Sequence, residues 1–132
     1  MSISIVRNEL QGRLNALATS LNIPVAWQGV EFKKVTSTYL EAFIILVDTR
    51  DSNVAVSRTT LKGSFQVNVW EPRGKGMLNA EQIAQSIVDA FPVLPKTGSV
   101  VIEQTPSIDS PLYDAGWVIV PVTIRYRYDK LN

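Results

Sequence analysis

Gly63-Ser64-Phe65-Gln66-Val67-Asn68-Val69-Trp70-Glu71-Pro72, then Arg73-Gly74-Lys75-Gly76, then Asn79 through Pro92, is the stretch that decides the fold. Phe65, Val67 and Val69 alternate with Ser64, Gln66 and Asn68, so an extended strand there has one apolar and one polar face. The strand ends at Trp70-Glu71-Pro72 and the glycines of the next four residues permit a reversal. From Asn79 the period changes from two to 3.6. Ile83, Ala84, Ile87, Val88 and Phe91 form one stripe, and Gln82, Gln85, Ser86 and Asp89 lie off it. Asn79 is the expected N-cap, with Gln82 three residues on completing a capping-box-like pair. Pro92 and Pro95 stop the helix. A strand and a helix that each bury one side make a two-layer unit.

Upstream, Val6, Leu10, Leu14, Leu17 and Leu21 recur at three- and four-residue steps and predict a helix over residues 4–20. Gly12 inside it costs about 1 kcal/mol relative to alanine, which suggests a close packing contact. Asn22 and Pro24 end this helix. A short strand follows at Val25-Ala26-Trp27-Gln28. A second covers 39–48 and is apolar on both faces through Phe43-Ile44-Ile45-Leu46-Val47, so it needs cover on both sides, from helices or from another subunit. Residues 49–60 read as a polar connection with an apolar island, Val54-Ala55-Val56.

Downstream of the central unit, 99–104 is a strand and 105–115 a second long loop containing Pro106 and Pro111. The last strand, 116–129, sets Val118, Val120, Val122, Ile124, Tyr126 and Tyr128 on one face. Trp117, Ile119, Pro121, Thr123, Arg125 and Arg127 are on the other. Pro121 cannot donate a ladder hydrogen bond, so a bulge or a sheet edge is expected there. The expected fold is a single α+β domain over residues 1–132. It is a two-layer sandwich with a mixed or antiparallel five-stranded sheet, two helices on one face, and the order α-β-β-β-α-β-β.

The 132 residues contain no cysteine and no histidine, which removes disulfides, thiolate sites and the commonest general base and metal ligand. The charged fraction of 19% and net charge of +1 leave little repulsion between copies. Lys and Arg are interspersed with acids, without the basic cluster a nucleic-acid stripe needs. No apolar run is long enough to span a membrane, and the first residues lack the pattern of a signal peptide, so the chain is expected to stay where it is made.

Chemical motifs are weak. Arg73-Gly74-Lys75-Gly76 before a helix has some features of a phosphate loop, but Lys75 is followed by Gly76 rather than Ser or Thr, and a flexible turn explains it. Glu31-Phe32-Lys33 matches the end of a metal-nuclease motif, yet the one earlier acid is Glu9, on the first helix. Ser57 and Ser64 have no histidine to activate them. No catalytic, cofactor or metal residues are therefore assigned. Trp70, out of phase with Phe65, Val67 and Val69, falls on the wet face and is a candidate interface anchor. Arg125 and Arg127 are candidates to meet carboxylates across a subunit boundary, although a solvated strand face also accounts for them.

The run Leu61-Lys62-Gly63-Ser64-Phe65-Gln66-Val67-Asn68-Val69-Trp70, Gly74-Lys75-Gly76, residues 80–92 and the ending Gly116-Trp117 through Pro121-Val122 to Arg125-Tyr126-Arg127 resemble the small tail terminator-like proteins of tailed bacteriophages. The resemblance spans nearly the whole chain, and its motifs are structural. It implies a subunit that forms a homo-oligomeric ring, typically a hexamer, on the head-proximal end of the tail tube. Such a ring stops tube polymerisation and presents a surface to head-completion or connector proteins. DNA passes through it without sequence-specific contacts, and no membrane is involved. Assembly would take place in the host cytoplasm and the product would reside in the virion tail. The residues expected to make contacts are Arg50, Asp51, Val54, Val56 and Arg58 of the first long connection; Trp70, Arg73 and Lys75; Leu112 and Tyr113 of the second; and Arg125 and Arg127. Another head–tail connector or minor tail protein, or a small ligand- or nucleic-acid-binding domain, are the alternatives; an enzyme is not expected.

Overall fold

The computed structural model describes residues 2–33, 35–52, 58–93 and 100–131. The elements run α1 (Ser2–Leu21), β1 (Val25–Trp27), β2 (Tyr39–Ser52), β3 (Arg58–Pro72), α2 (Leu78–Ala90), β4 (Val100–Ile102), β5 (Ser107–Ile108), β6 (Leu112–Asp114) and β7 (Trp117–Leu131). The architecture is α+β in two layers, and the sheet has seven strands rather than five. The two additional strands, β5 and β6, come from the segment read as a loop. Short strands flanked by Pro106 and Pro111 leave no periodic signal, and they exist because β7 offers them a free edge.

The sheet order is β1-β2-β3-β7-β4, with β5 and β6 also on the outer side of β7. β1 and β2 are parallel, and every other pairing is antiparallel. β3 pairs β7 from Arg58 opposite Leu131 to Pro72 opposite Trp117. Its pairing with β2 runs from Trp70 opposite Tyr39 to Arg58 opposite Ser52, with a bulge between Leu46 and Asp48. The expected connection over 49–60 is thus mostly strand. Pairing continues through Thr49, Arg50 and Asp51, where polar residues leave no apolar period to read; residues 54–56, Pro95 and Ser99 lie outside the described residues.

One face of the sheet carries the core. Leu40, Ala42, Ile44, Phe65, Val67, Val69, Val100, Ile102 and the even-numbered residues from Val118 to Tyr128 are buried under α1 and α2. From α1 the buried stripe is Val6, Leu10, Leu14 and Ala18; Leu17 packs at its border, and Leu21, expected in the stripe, is exposed where the helix runs past the sheet. From α2 the expected stripe of Ile83, Ala84, Ile87, Val88 and Phe91 is buried, together with Ala80. The Arg13 guanidinium sits 5.4 Å from the Phe91 ring centroid, tying the helices together.

Asn79 does not cap α2. The helix begins two residues earlier than expected, with Met77 at the N-cap and no side-chain cap bond. Asn79 instead donates its amide to both oxygens of Glu71, at 3.2 and 3.1 Å, and Thr38 also donates to Glu71. Glu71 is 1% exposed, so these bonds replace the water it has lost. They fix α2 against the end of β3. Pro121 is neither bulged nor at an outer edge. Its carbonyl accepts the Asp109 N–H at 2.9 Å. In an extended chain the N and C=O of one residue point the same way, so Pro121 turns both away from β3, where no donor is missed.

Two glycines differ in what they require. Gly12 is exposed, and a Cβ there would meet nothing within 4 Å, so the expected close contact is absent. Gly63 is buried between β2 and β7, where a Cβ would collide with the Ile45 carbonyl oxygen and come within 2.6 Å of the Tyr126 hydroxyl. Gly12→Ala should stabilise the fold by about 0.5–1 kcal/mol, whereas Gly63→Ala should cost at least about 2 kcal/mol. Urea midpoints of the two variants, moving in opposite directions, would confirm this; equal shifts would refute it.

Candidate assembly surfaces

The face of the sheet opposite the helices is polar but ordered. Residues alternate along each strand, so Tyr39, Glu41, Phe43 and Ile45 of β2 lie beside Trp70, Asn68, Gln66 and Ser64 of β3. Glu41 Oε1 accepts from Asn68 Nδ2 at 3.0 Å and from Trp70 Nε1 at 3.1 Å. Gln66 Nε2 donates to Asn68 Oδ1 at 3.1 Å. The Thr123 hydroxyl lies 3.0 Å from Gln66 Oε1 and 2.8 Å from Asp109 Oδ2, with one proton to give. This ladder crosses β2, β3 and β7 and reaches the residue after β5. It suits a surface whose side chains are held in place rather than a mobile one.

At the end where β3 stops and β7 starts, Phe32, Tyr39, Trp70 and Trp117 pack ring on ring. Tyr39 stacks on Trp70 with centroids 5.5 Å apart, and Trp117 meets Tyr39 edge-on at 5.4 Å and Trp70 at 5.9 Å. Phe32 lies 5.1 Å from Tyr39. With Asp114 and Ala115 these rings line a cleft of about 370 Å³. Trp70 is therefore on the wet face, as its phase requires, but half-buried within an aromatic cluster. The Tyr39 hydroxyl is held above the usual value of 10.0, first by burial and then by the charges of Glu41 and Asp114.

The other expected contact residues divide between the two ends of the sheet. Arg73 places its guanidinium 5.1 Å from the Tyr113 ring centroid, so these two are brought together. Lys75 is exposed in the turn before α2, and Leu112 and Tyr113 are exposed on β6. Arg50 and Asp51 fall on β2 and Arg58 opens β3, with Val54 and Val56 outside the described residues. Because β3 runs from Arg58 to Pro72, this group lies about 45 Å from Trp70 and Arg73. Arg127 pairs within the chain, with Asp129 at 3.1 Å and with Glu103 at 3.6 Å; Glu103 also meets Lys62 at 3.5 Å. Arg125 is exposed on the same face. Glu9, the carboxylate a nuclease reading would need, accepts the Val100 N–H at 3.0 Å and lies 4.0 Å from Arg13. Among the described residues no cluster of acids is spaced to hold a metal, and no helix is long and apolar enough to cross a membrane.

Sequence reasoning missed two features. Tyr39, Glu41 and Phe32 join Trp70 in one cluster, a link that only the β2–β3 register reveals. The apolar run of β2 is not covered on both faces: Ile45 is 43% exposed, and Leu46 and Val47 are each 68% exposed. The signal was present in the run itself, which predicts a need for cover without saying what supplies it.

A tyrosine whose folded pKa is raised contributes stability that is complete below the unfolded value and lost as pH rises through the folded one. Tyr39 and Tyr126 both shift upward, Tyr126 by burial with Arg7 opposing. Stability should therefore decline above about pH 10. Asp114→Asn should bring Tyr39 ionisation slightly closer to the ordinary range in an ultraviolet difference titration; an unchanged Tyr39 curve would remove Asp114 from the causes and leave burial and Glu41.

The profile of a family described as phage tail terminator protein matches residues 5–126. No curated protein matches the chain significantly. One solved structure, whose name carries no functional description, superposes with a TM-score of 0.78 at 29% identity, covering 97% of this chain and 96% of its own. A chain from the virion of a native gene transfer agent particle superposes with a TM-score of 0.65 at 15% identity over 92% of each chain, which shows a common fold. With the family pattern running from within α1 to Tyr126 of β7, this chain belongs to the phage tail terminator protein family.

Proposed function

We propose that this phage tail protein assembles as a ring of identical subunits, six in number by analogy with its family, on the head-proximal end of the tail tube. There it stops tube growth and offers the surface that head-completion or connector proteins join. The observation that carries this reading is the family match across residues 5–126. The likeness to a chain of a gene transfer agent virion supports it, since the same fold occurs in a virion. Assembly takes place in the host cytoplasm. Double-stranded DNA passes through the opening without sequence-specific contacts, in keeping with a near-neutral chain that has no basic stripe.

The physical requirements of such a ring are modest and specific. Each subunit must be rigid, must present two different patches that meet head to tail, and must remain soluble alone. A sheet whose open face is a hydrogen-bonded side-chain ladder supplies rigidity. The sequence offers no histidine or cysteine, and we assign the protein no catalytic chemistry. It acts by occupying a tube end and changing what can bind there next.

The test is growth of tail tubes from purified tube protein with and without this subunit. Substoichiometric addition relative to tube monomers should arrest elongation, and particles made without it should carry overlong tails detached from heads. Tubes that lengthen at an unchanged rate under saturating subunit would overturn the terminator assignment. Tubes of normal length that fail only to join heads would favour a connector role instead.

A further inference from the structure

Two uncovered apolar patches lie on opposite edges of the one sheet. On the first edge, β1 pairs only with Leu40, Glu41 and Ala42 of β2. The Gln28 side chain extends this cover by one step, accepting the Ile44 N–H at 2.9 Å. Beyond it β2 has no strand on its outer side among the described residues, and there Ile45, Leu46 and Val47 stand 43%, 68% and 68% exposed. On the second edge, β5 and β6 lie along β7 and have no strand beyond them among the described residues. They expose Ile108 at 41%, Leu112 at 58% and Tyr113 at 60%.

The two patches share a layout. Leu46 follows the phase of the buried Ile44 on the helix side of the sheet, while Ile45 follows Phe43 on the open side. Ile108 and Tyr113 are in register with Val122 and Val118 of the helix side, while Leu112 is in register with Ile119 of the open side. Each edge therefore carries aliphatic or aromatic side chains on both faces. An edge of this kind is a template for another strand. β2 has a further requirement, because its apolar run needs cover on both faces and the helices of its own chain supply it only as far as Ile44.

We propose that successive copies of this chain join edge to edge, the Ile45-Leu46-Val47 edge of one subunit against the β5–β6 edge of the next. The occupant is a second copy because both edges of one chain carry this layout, so a head-to-tail junction would cover both patches at once, as a closed ring requires. The net charge of +1 leaves little to oppose the approach. This deepens the ring reading above and rests on it.

Leu46→Lys and Leu112→Lys place a charge at exposed positions on the two edges, and melting curves of each establish that the fold is kept. In sedimentation velocity across concentration, each variant alone should need at least about tenfold more protein to assemble than the parent chain. An equimolar mixture of the two retains one intact junction per pair and should stop at dimers. A single chain carrying Leu46→Lys with Ile108→Glu, both on the helix side of the sheet, should recover assembly through the opposite charges. Should either variant fail to fold, Leu46→Ser and Leu112→Ser replace it with the same expectations. Normal assembly by both variants would overturn the edge assignment while leaving the ring intact. Loss in Leu46→Lys with normal assembly of Leu112→Lys would show that the β2 edge meets a copy of itself, and would overturn the head-to-tail pairing. A parent chain that stays monomeric at every concentration and on tube ends would remove the ring reading and this proposal together.

Discussion

The pairing of β3 with β7, unbroken from Arg58 opposite Leu131 to Pro72 opposite Trp117, is the constraint on which the remaining structure depends. It sets the length of the sheet. Fifteen residues in a strand span about 50 Å, while the 13 residues of α2 cover about 20 Å and the 20 of α1 about 30 Å. Neither helix can shield such a sheet from end to end. The core instead draws on helix-side residues along most of β7, from Val118 to Tyr128, with the short β4 adding Val100 and Ile102.

The same pairing explains why the centre tolerates so little change. At Gly63 a Cβ would meet both the Ile45 carbonyl oxygen and the Tyr126 hydroxyl, so β3 passes there without a side chain of its own. A few residues on, Phe65, Val67 and Val69 are fully buried, and the strand finishes at Glu71, whose carboxylate fixes the start of α2 through Asn79 and the preceding loop through Thr38. One strand thereby positions the core, the second helix and the aromatic cluster around Trp70.

Much of this was legible in the residues, and the exceptions have physical causes. Period-two alternation between Ser64 and Val69 and the helical stripe from Ile83 to Phe91 are strong because each buries one face against the other. The outer parts of β2 and β3, rich in Thr, Arg and Asp, have no apolar alternation, so they read as a connection although they are paired. β5 and β6 were hidden because their existence depends on the edge of a strand later in the chain. Asn79 was misread because a local cap and a tertiary bond to Glu71 compete for one amide, and the buried carboxylate wins. The expected contact residues were visible only as residue types. Their division between two ends and two edges of the sheet is a property of register.

The irregularity between Leu46 and Asp48 has a consequence for how large an assembly can become. A flat, regular margin would allow copy after copy to stack by pure translation, and the product would be an open-ended filament. An extra residue bends the strand and increases its local twist. In the ring proposed above, that bend would turn each added copy relative to the last, which is what a row of subunits needs to come back to its own beginning.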